Sequence, residues 1–130
     1  MPKVDYKKSN FDIDLEFGAI GEDYILRVFE SGKKVEVKTE RSAWQRTGNI
    51  AIEIRHKGKK SGLSITDADT WCHVLTKDEK VVGTIVIPVK FLKQRVKTLV
   101  RDKKAKVQLV GENNDSQVVL LPIKYIWNNI

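Results

Sequence analysis

Glu36 and Glu53 stand in two runs that alternate apolar with polar residues, Val35-Glu36-Val37-Lys38-Thr39-Glu40 and Ile50-Ala51-Ile52-Glu53-Ile54-Arg55. That period belongs to half-buried strands. If the polar stretch between the runs is a hairpin loop with Trp44 and Gln45 at its apex, Glu36 faces Glu53 across the pair and Lys38 faces Ala51. Val35, Val37, Ile50, Ile52 and Ile54 then share the other face. Like charges placed opposite one another on a sheet are destabilising, and a cation between them removes the repulsion. Two carboxylates on adjoining strands suit a hard divalent ion, which needs few protein oxygens and keeps several waters. The competing reading of the same spacing is an ion-pair ladder on a wet sheet face, with Lys38 and Arg55 neutralising the acids. A third acid, Glu22, follows Gly18-Ala19-Ile20-Gly21. The two glycines would let a helix approach a sheet or ligand closely, although a lone helical glutamate is more commonly exposed.

No other constellation offers chemistry of comparable reach. His56, His73 and Cys72 do not assemble a nucleophile with its base. The adjacent pair Cys72-His73 lacks the spaced partners of a zinc site. Charge is distributed unevenly. The chain holds 24 Lys and Arg against 17 Asp and Glu, a net +7. Residues 90–106 contain eight of those bases (Lys90, Lys93, Arg95, Lys97, Arg101, Lys103, Lys104, Lys106) and a single acid, Asp102, so this one segment carries the whole excess. Such a run is either a solvated helix face or a surface for a polyanion.

The elements that must position these residues can be read from periodicity. Phe17, Ile20, Tyr24, Ile25, Val28 and Phe29 recur at three- and four-residue steps, which predicts a helix over 16–30. The two alternating runs predict a pair of strands with Gly48-Asn49 in their loop. Thr66, with Asp67 and Asp69 after it, has the form of an N-cap and acidic first turn, predicting a short helix over 66–75. Residues 80–87 are β-branched and strand-like. Pro88 suits the first turn of an amphipathic helix over 89–104, with Val89, Leu92, Val96, Leu99 and Val100 inward. Residues 106–110 and 117–123 are two further strands around the turn 111–115. The order α-β-β-α-β-α-β-β describes an α/β domain, a central mixed β-sheet flanked by helices.

At 130 residues and 41% hydrophobic content, the chain is expected to form one continuous domain, 1–130, with residues 1–10 frayed. No apolar run reaches the length of a membrane span, and Met1-Pro2-Lys3-Val4-Asp5 lacks the apolar core of a signal peptide. With a single cysteine, a cytoplasmic protein without disulfides is expected.

The ordered blocks resemble a known family. Gly21-Glu22 in an N-terminal helix, then Val35-Glu36-Val37-Lys38-Thr39-Glu40, then Thr47-Gly48-Asn49-Ile50-Ala51-Ile52-Glu53, are similar to the PD-(D/E)XK, or restriction-endonuclease-like, nuclease superfamily. The resemblance is nearest to a small subfamily often encoded by phages. The stretch Ser61-Gly62 through Thr66-Asp67-Ala68-Asp69-Thr70-Trp71 resembles a further signature of that subfamily. The likeness covers roughly residues 17–75.

What the resemblance implies is Mg²⁺-dependent hydrolysis of DNA phosphodiesters, with Mn²⁺ as a substitute. Glu36 and Glu53 take the places of the metal-binding acids and Glu22 that of the assisting helical acid. The superfamily's lysine stands two residues after the second acid, where this chain has Arg55, whereas Lys38 stands two after Glu36. Either Glu36-Val37-Lys38 is itself the acid-x-Lys motif, with Asp12 or Asp14 before it, or the lysine has migrated to the neighbouring strand, the reading preferred here. Glu36 also replaces the usual aspartate. DNA contacts are expected at Arg41, Trp44 and Arg46 in the hairpin loop, at Lys59 and Lys60, and at Lys93, Lys97 and Arg101 on the basic helix. For Trp44 itself, folding back onto the core edge is favoured over stacking on a base. The chain has no room for a separate recognition domain, so structure-selective or nonspecific cutting is expected, and a homodimer would suit cleavage of two strands. The alternative is a DNA-binding or accessory protein that keeps the fold around a decayed site.

Overall fold

The computed structural model describes residues 10–30 and 34–130, with side chains from residue 16 onward. The chain divides into two units, residues 1–33 and 34–130. The first contains helix α1 (Asn10–Val28). Of its expected apolar stripe only Val28 is buried, and Phe17, Ile20, Ile25 and Phe29 are exposed. A Cβ on Gly18 or Gly21 would meet nothing within 4 Å.

The second unit is mixed α/β with two sheets rather than one. Its elements run β1 (Val35–Glu40), α2 (Trp44–Thr47), β2 (Asn49–His56), β3 (Lys59–Lys60), a 3-10 turn (Gly62–Ser64), β4 (Thr70–Lys77), β5 (Lys80–Pro88), α3 (Val89–Arg101), β6 (Lys106–Val110) and β7 (Ser116–Pro122). One sheet has the order β1-β4-β5 and the other β3-β2-β7-β6. β1 runs parallel to β4, and every other pairing is antiparallel.

Two expectations are corrected here. β1 and β2 do not form a hairpin. The loop between them winds into the single turn of α2, and the chain leaves it through Gly48 at φ +74, a left-handed conformation that glycine adopts without a Cβ clash. β2 turns away into the second sheet, where Glu53 pairs with Val118 instead of Glu36. The stretch 66–75 is not a helix. Thr66 Oγ1 accepts from the Ala68 amide at 3.1 Å, closing a local turn. The run from Thr70 to Thr76, rich in aromatic and β-branched residues, then forms strand β4.

The core lies where the two sheets meet α3. Ile50 and Ile52 of β2, Trp71 of β4, Ile87 of β5, Leu92, Val96 and Leu99 of α3, and Val119 and Leu121 of β7 are all buried in one cluster. α3 begins after Pro88, as its fixed φ favours, and ends at Arg101 rather than 104 because Lys103 adopts φ +60. Arg95 belongs to the inward face. Its guanidinium donates to the carbonyls of Ile126 at 2.6 Å and of Tyr125 and Asn128 at 2.8 Å, so this member of the basic run ties α3 to the C-terminal turn.

Candidate carboxylate site and basic groove

Parallel pairing decides which way β1 faces. Glu36 lies beside Trp71, Lys38 beside His73 and Glu40 beside Leu75. Laterally paired residues share a sheet face, so the charged side chains of β1 project with buried Trp71 and His73. Glu36, Lys38 and Glu40 are half-buried, whereas Val37 is 58% exposed. The expected polarity of the strand is reversed, with its charges turned toward the core side.

Glu40 is engaged through one of its two oxygens. Its Oε1 accepts from the Ala51 amide of β2 at 2.8 Å and from His73 Nε2 at 2.8 Å. His73 Nδ1 lies 3.1 Å from Trp71 Nε1. An indole N–H only donates, so Nδ1 accepts and the histidine proton sits on Nε2, aimed at Glu40. The Thr76 hydroxyl donates to the Glu40 carbonyl at 2.6 Å, and Trp44 Nε1 donates to the Thr76 carbonyl at 2.7 Å. These bonds clamp β1, α2, β2 and β4 into one corner. Trp44 is folded onto that corner, while Arg41 and Arg46, near it in sequence, are exposed. Glu40 and His73 had no assigned role in the sequence reading. The signal was available for Glu40, which continues the alternation of Glu36 and Lys38. His73 becomes legible only once β4 is known to be a strand beside β1.

Glu36, Lys38 and Glu53 behave differently. All three are half-buried, and none makes a side-chain hydrogen bond or ion pair among the described residues. Glu53 sits at a β-bulge: the pairing with β7 is regular up to Glu53–Val118 and irregular between Glu53 and Arg55. Bulges re-aim side chains and are over-represented beside active sites. Here the irregularity ends the shared-face relation expected for Glu53 and Arg55, and Arg55 Nη1 instead donates to the Gly58 carbonyl at 3.0 Å. The turn at Ser61-Gly62 packs against Glu53 from outside. Gly62 has φ +52, and a Cβ there would overlap the Glu53 carbonyl and lie 3.0 Å from the Glu53 Cβ. The adjacent Ser61 hydroxyl is buried without a hydrogen-bond partner among the described residues.

Among the described residues, no three His, Cys, Asp or Glu side chains converge as a metal-binding group. Glu22 is exposed on α1, in the first unit, and the side chains of Asp12 and Asp14 lie outside the described residues.

The basic residues gather elsewhere. Lys60, Lys93, Lys97 and Arg101 border a groove of about 600 Å³ whose floor is Ile54, Leu63, Val96, Val100, Val107 and Val119. Lys93, Lys97 and Arg101 follow at four-residue steps, one ridge of α3. Lys59 is exposed on β3 and is not among the groove residues. Ile54 and Val119 face this groove, whereas Glu53 pairs with Val118 on the opposite face of the sheet. The basic groove and the Glu53 carboxylate therefore belong to opposite faces of one sheet.

No protein-family model, curated protein or solved structure matches the chain. No described helix is long and apolar enough to cross a membrane.

Proposed function

We propose that the chain is a metal-dependent DNA nuclease of restriction-endonuclease-like type, with Glu36 and Lys38 of β1 and Glu53 of β2 as its site. The observation that carries this reading is the set Glu36, Lys38 and Glu53, three half-buried charges that no protein group satisfies. Buried and half-buried charges of a structural kind are normally paired, as the buried Arg95 and the half-buried Glu40 are. Unpaired ones held in place by the fold fit a ligand instead. The ordered blocks 35–40, 47–53 and 61–71 support the same reading.

The donors match the ion. Mg²⁺ takes carboxylate oxygens and retains waters, and Glu36 and Glu53 supply unclaimed carboxylates while one oxygen of Glu40 already accepts from two donors. When bound, the ion would lower the pKa of a water and stabilise charge on the scissile phosphate. Lys38 supplies a fixed cation that orients the attacking water or neutralises a phosphate oxygen. Arg55, engaged with the turn carbonyl, is the weaker candidate for that role. Arg41 and Arg46, exposed and near Trp44 in sequence, suit phosphates of the entering strand. Gly62 and the bulge hold Glu53 against drift.

The test is incubation of the purified chain with branched, nicked, single-stranded and duplex DNA in Mg²⁺ or Mn²⁺. Cleavage of at least one substrate, lost on chelation and in Glu53→Gln and Glu36→Gln, is expected. Cleavage that survives both substitutions, or no cleavage of any substrate, rejects the proposal. A second reading, a DNA-binding protein with a decayed site, is favoured by Glu36 in place of the usual aspartate and by Arg55, which stands at the superfamily's lysine position and is engaged with the Gly58 carbonyl. Calorimetry separates the two, because a decayed site binds DNA without taking up Mn²⁺.

A further inference from the structure

We propose that the open edge of β6 and the groove beside it receive an extended, acidic peptide of a partner protein, added as a further strand. β6 ends the sheet order β3-β2-β7-β6, so its outer edge pairs with no strand among the described residues. Alternate residues of that edge strand are apolar and exposed, Val107 at 49% and Leu109 at 52%. Val107 lies beside buried Val119 and is continuous with the aliphatic floor of the groove. An unpaired edge next to an apolar groove is the geometry of strand addition. Main-chain hydrogen bonds supply affinity, and alternate side chains enter the groove.

Charge determines the occupant. The side chains bordering the groove include four cations and no acid. Arg101 shares its charge with Asp102 at 3.1 Å, while Lys60, Lys93 and Lys97 have no anionic partner among the described residues. A peptide strand whose groove-facing side chains, every second residue, are in turn apolar and acidic fills the floor and neutralises the ridge of α3. A second copy of this chain does not fit. Its own edge, Lys106-Val107-Gln108-Leu109-Val110, contains no acid, and pairing edge to edge would bring two basic segments together. A nucleic acid strand uses the cations but leaves the strand edge unfilled. It also finds no aromatic ring to stack on and, apart from the Ser64 hydroxyl, no neutral polar side chain to read a base edge. The site lies across the sheet from Glu53, so it does not depend on the nuclease reading.

The probe is a fluorescein-labelled twelve-residue peptide of three Val-Thr-Glu-Thr repeats, whose groove-facing positions alternate valine and glutamate, titrated into the full chain by anisotropy at low and moderate salt. Controls are the same peptide with lysine for glutamate, a block-ordered isomer, and a twelve-nucleotide single strand. Saturable binding of the alternating peptide is expected, weakened at least about tenfold by Val107→Lys and by Lys93→Glu/Lys97→Glu. Slowed amide hydrogen exchange confined to residues 106–110 and their neighbours on β7 should accompany it. Lys93 and Lys97 border the groove and Val107, on its floor, is 49% exposed, and circular dichroism checks that both variants fold. The proposal is overturned by no saturable binding, by equal binding of the lysine or block-ordered peptide, or by unchanged exchange at 106–110. It is equally overturned if the oligonucleotide displaces the peptide with an affinity that Val107→Lys leaves unaltered, since that outcome assigns the groove to nucleic acid.

Discussion

Two sets of buried or half-buried charges in this protein are built on opposite principles. Glu40 and Arg95 are saturated: one carboxylate oxygen accepts from a backbone amide and an imidazole, and one guanidinium donates to three carbonyls. Glu36, Lys38 and Glu53 have no side-chain partner among the described residues, although Glu36 and Lys38 share a strand face with Glu40. The difference teaches that proximity to a core does not make a charge structural. A saturated charge welds elements together, whereas Glu36, Lys38 and Glu53 tie no element to another among the described residues.

That comparison is open to direct attack. The largest effect is expected on chemistry. If the unsaturated set is the site, Glu53→Gln lowers cleavage by about a thousandfold, roughly 4 kcal/mol of barrier, while urea denaturation shifts by no more than about 0.5 kcal/mol. A stability loss as large as the activity loss would move Glu53 into the structural class. Gly62→Ala is expected to cost about 3 kcal/mol, because the new methyl group collides with the Glu53 backbone at a positive φ. Its denaturation midpoint and cleavage rate should fall together. Glu40→Ala belongs to the saturated set and strands two donors, the Ala51 amide and His73 Nε2–H. A loss of about 2–3 kcal/mol in urea is expected, and Glu40→Gln, which retains an acceptor, should recover part of it. The smallest effect concerns Cys72, on the face of β4 opposite His73, whose thiol is pushed up from its ordinary value by burial. Below that raised value the group is a neutral thiol, so alkylation at neutral pH should be slower than for a free cysteine and should accelerate as the pH rises. Mass spectrometry of labelled protein reads this out.

Local pattern carried a good part of the fold. The alternation in 35–40 and 50–55, the apolar stripe of 89–100 and the turn at 111–115 each mark an element that exists close to those bounds, because side-chain periodicity and turn chemistry are local properties. The stretch 66–75 shows where local signals compete. Thr66 and two aspartates resemble a helix start, but the aromatic and β-branched residues after them find strand partners on both sides, and pairing outweighs the cap. Arg95 was readable as inward from its position beside Leu92, Val96 and Leu99, although a charge count places it with the outward bases.

By itself the sequence determined which residues carry charge at which period. It supplied the acids at 36 and 53, the lysine at 38, the cationic ridge at 93, 97 and 101, and the glycine at 62 that alone fits its backbone. Only tertiary structure decided what those residues face. Parallel pairing with β4, a contact between positions some 35 residues apart, turned the charges of β1 toward the core side, reversing the reading from amphipathicity. The assignment of β1 and β2 to separate sheets parted Glu36 from Glu53 as cross-strand neighbours, and one bulge turned Arg55 away. A strand's period is written in its own residues, but its partner and its facing depend on distant segments, and no local pattern specifies those.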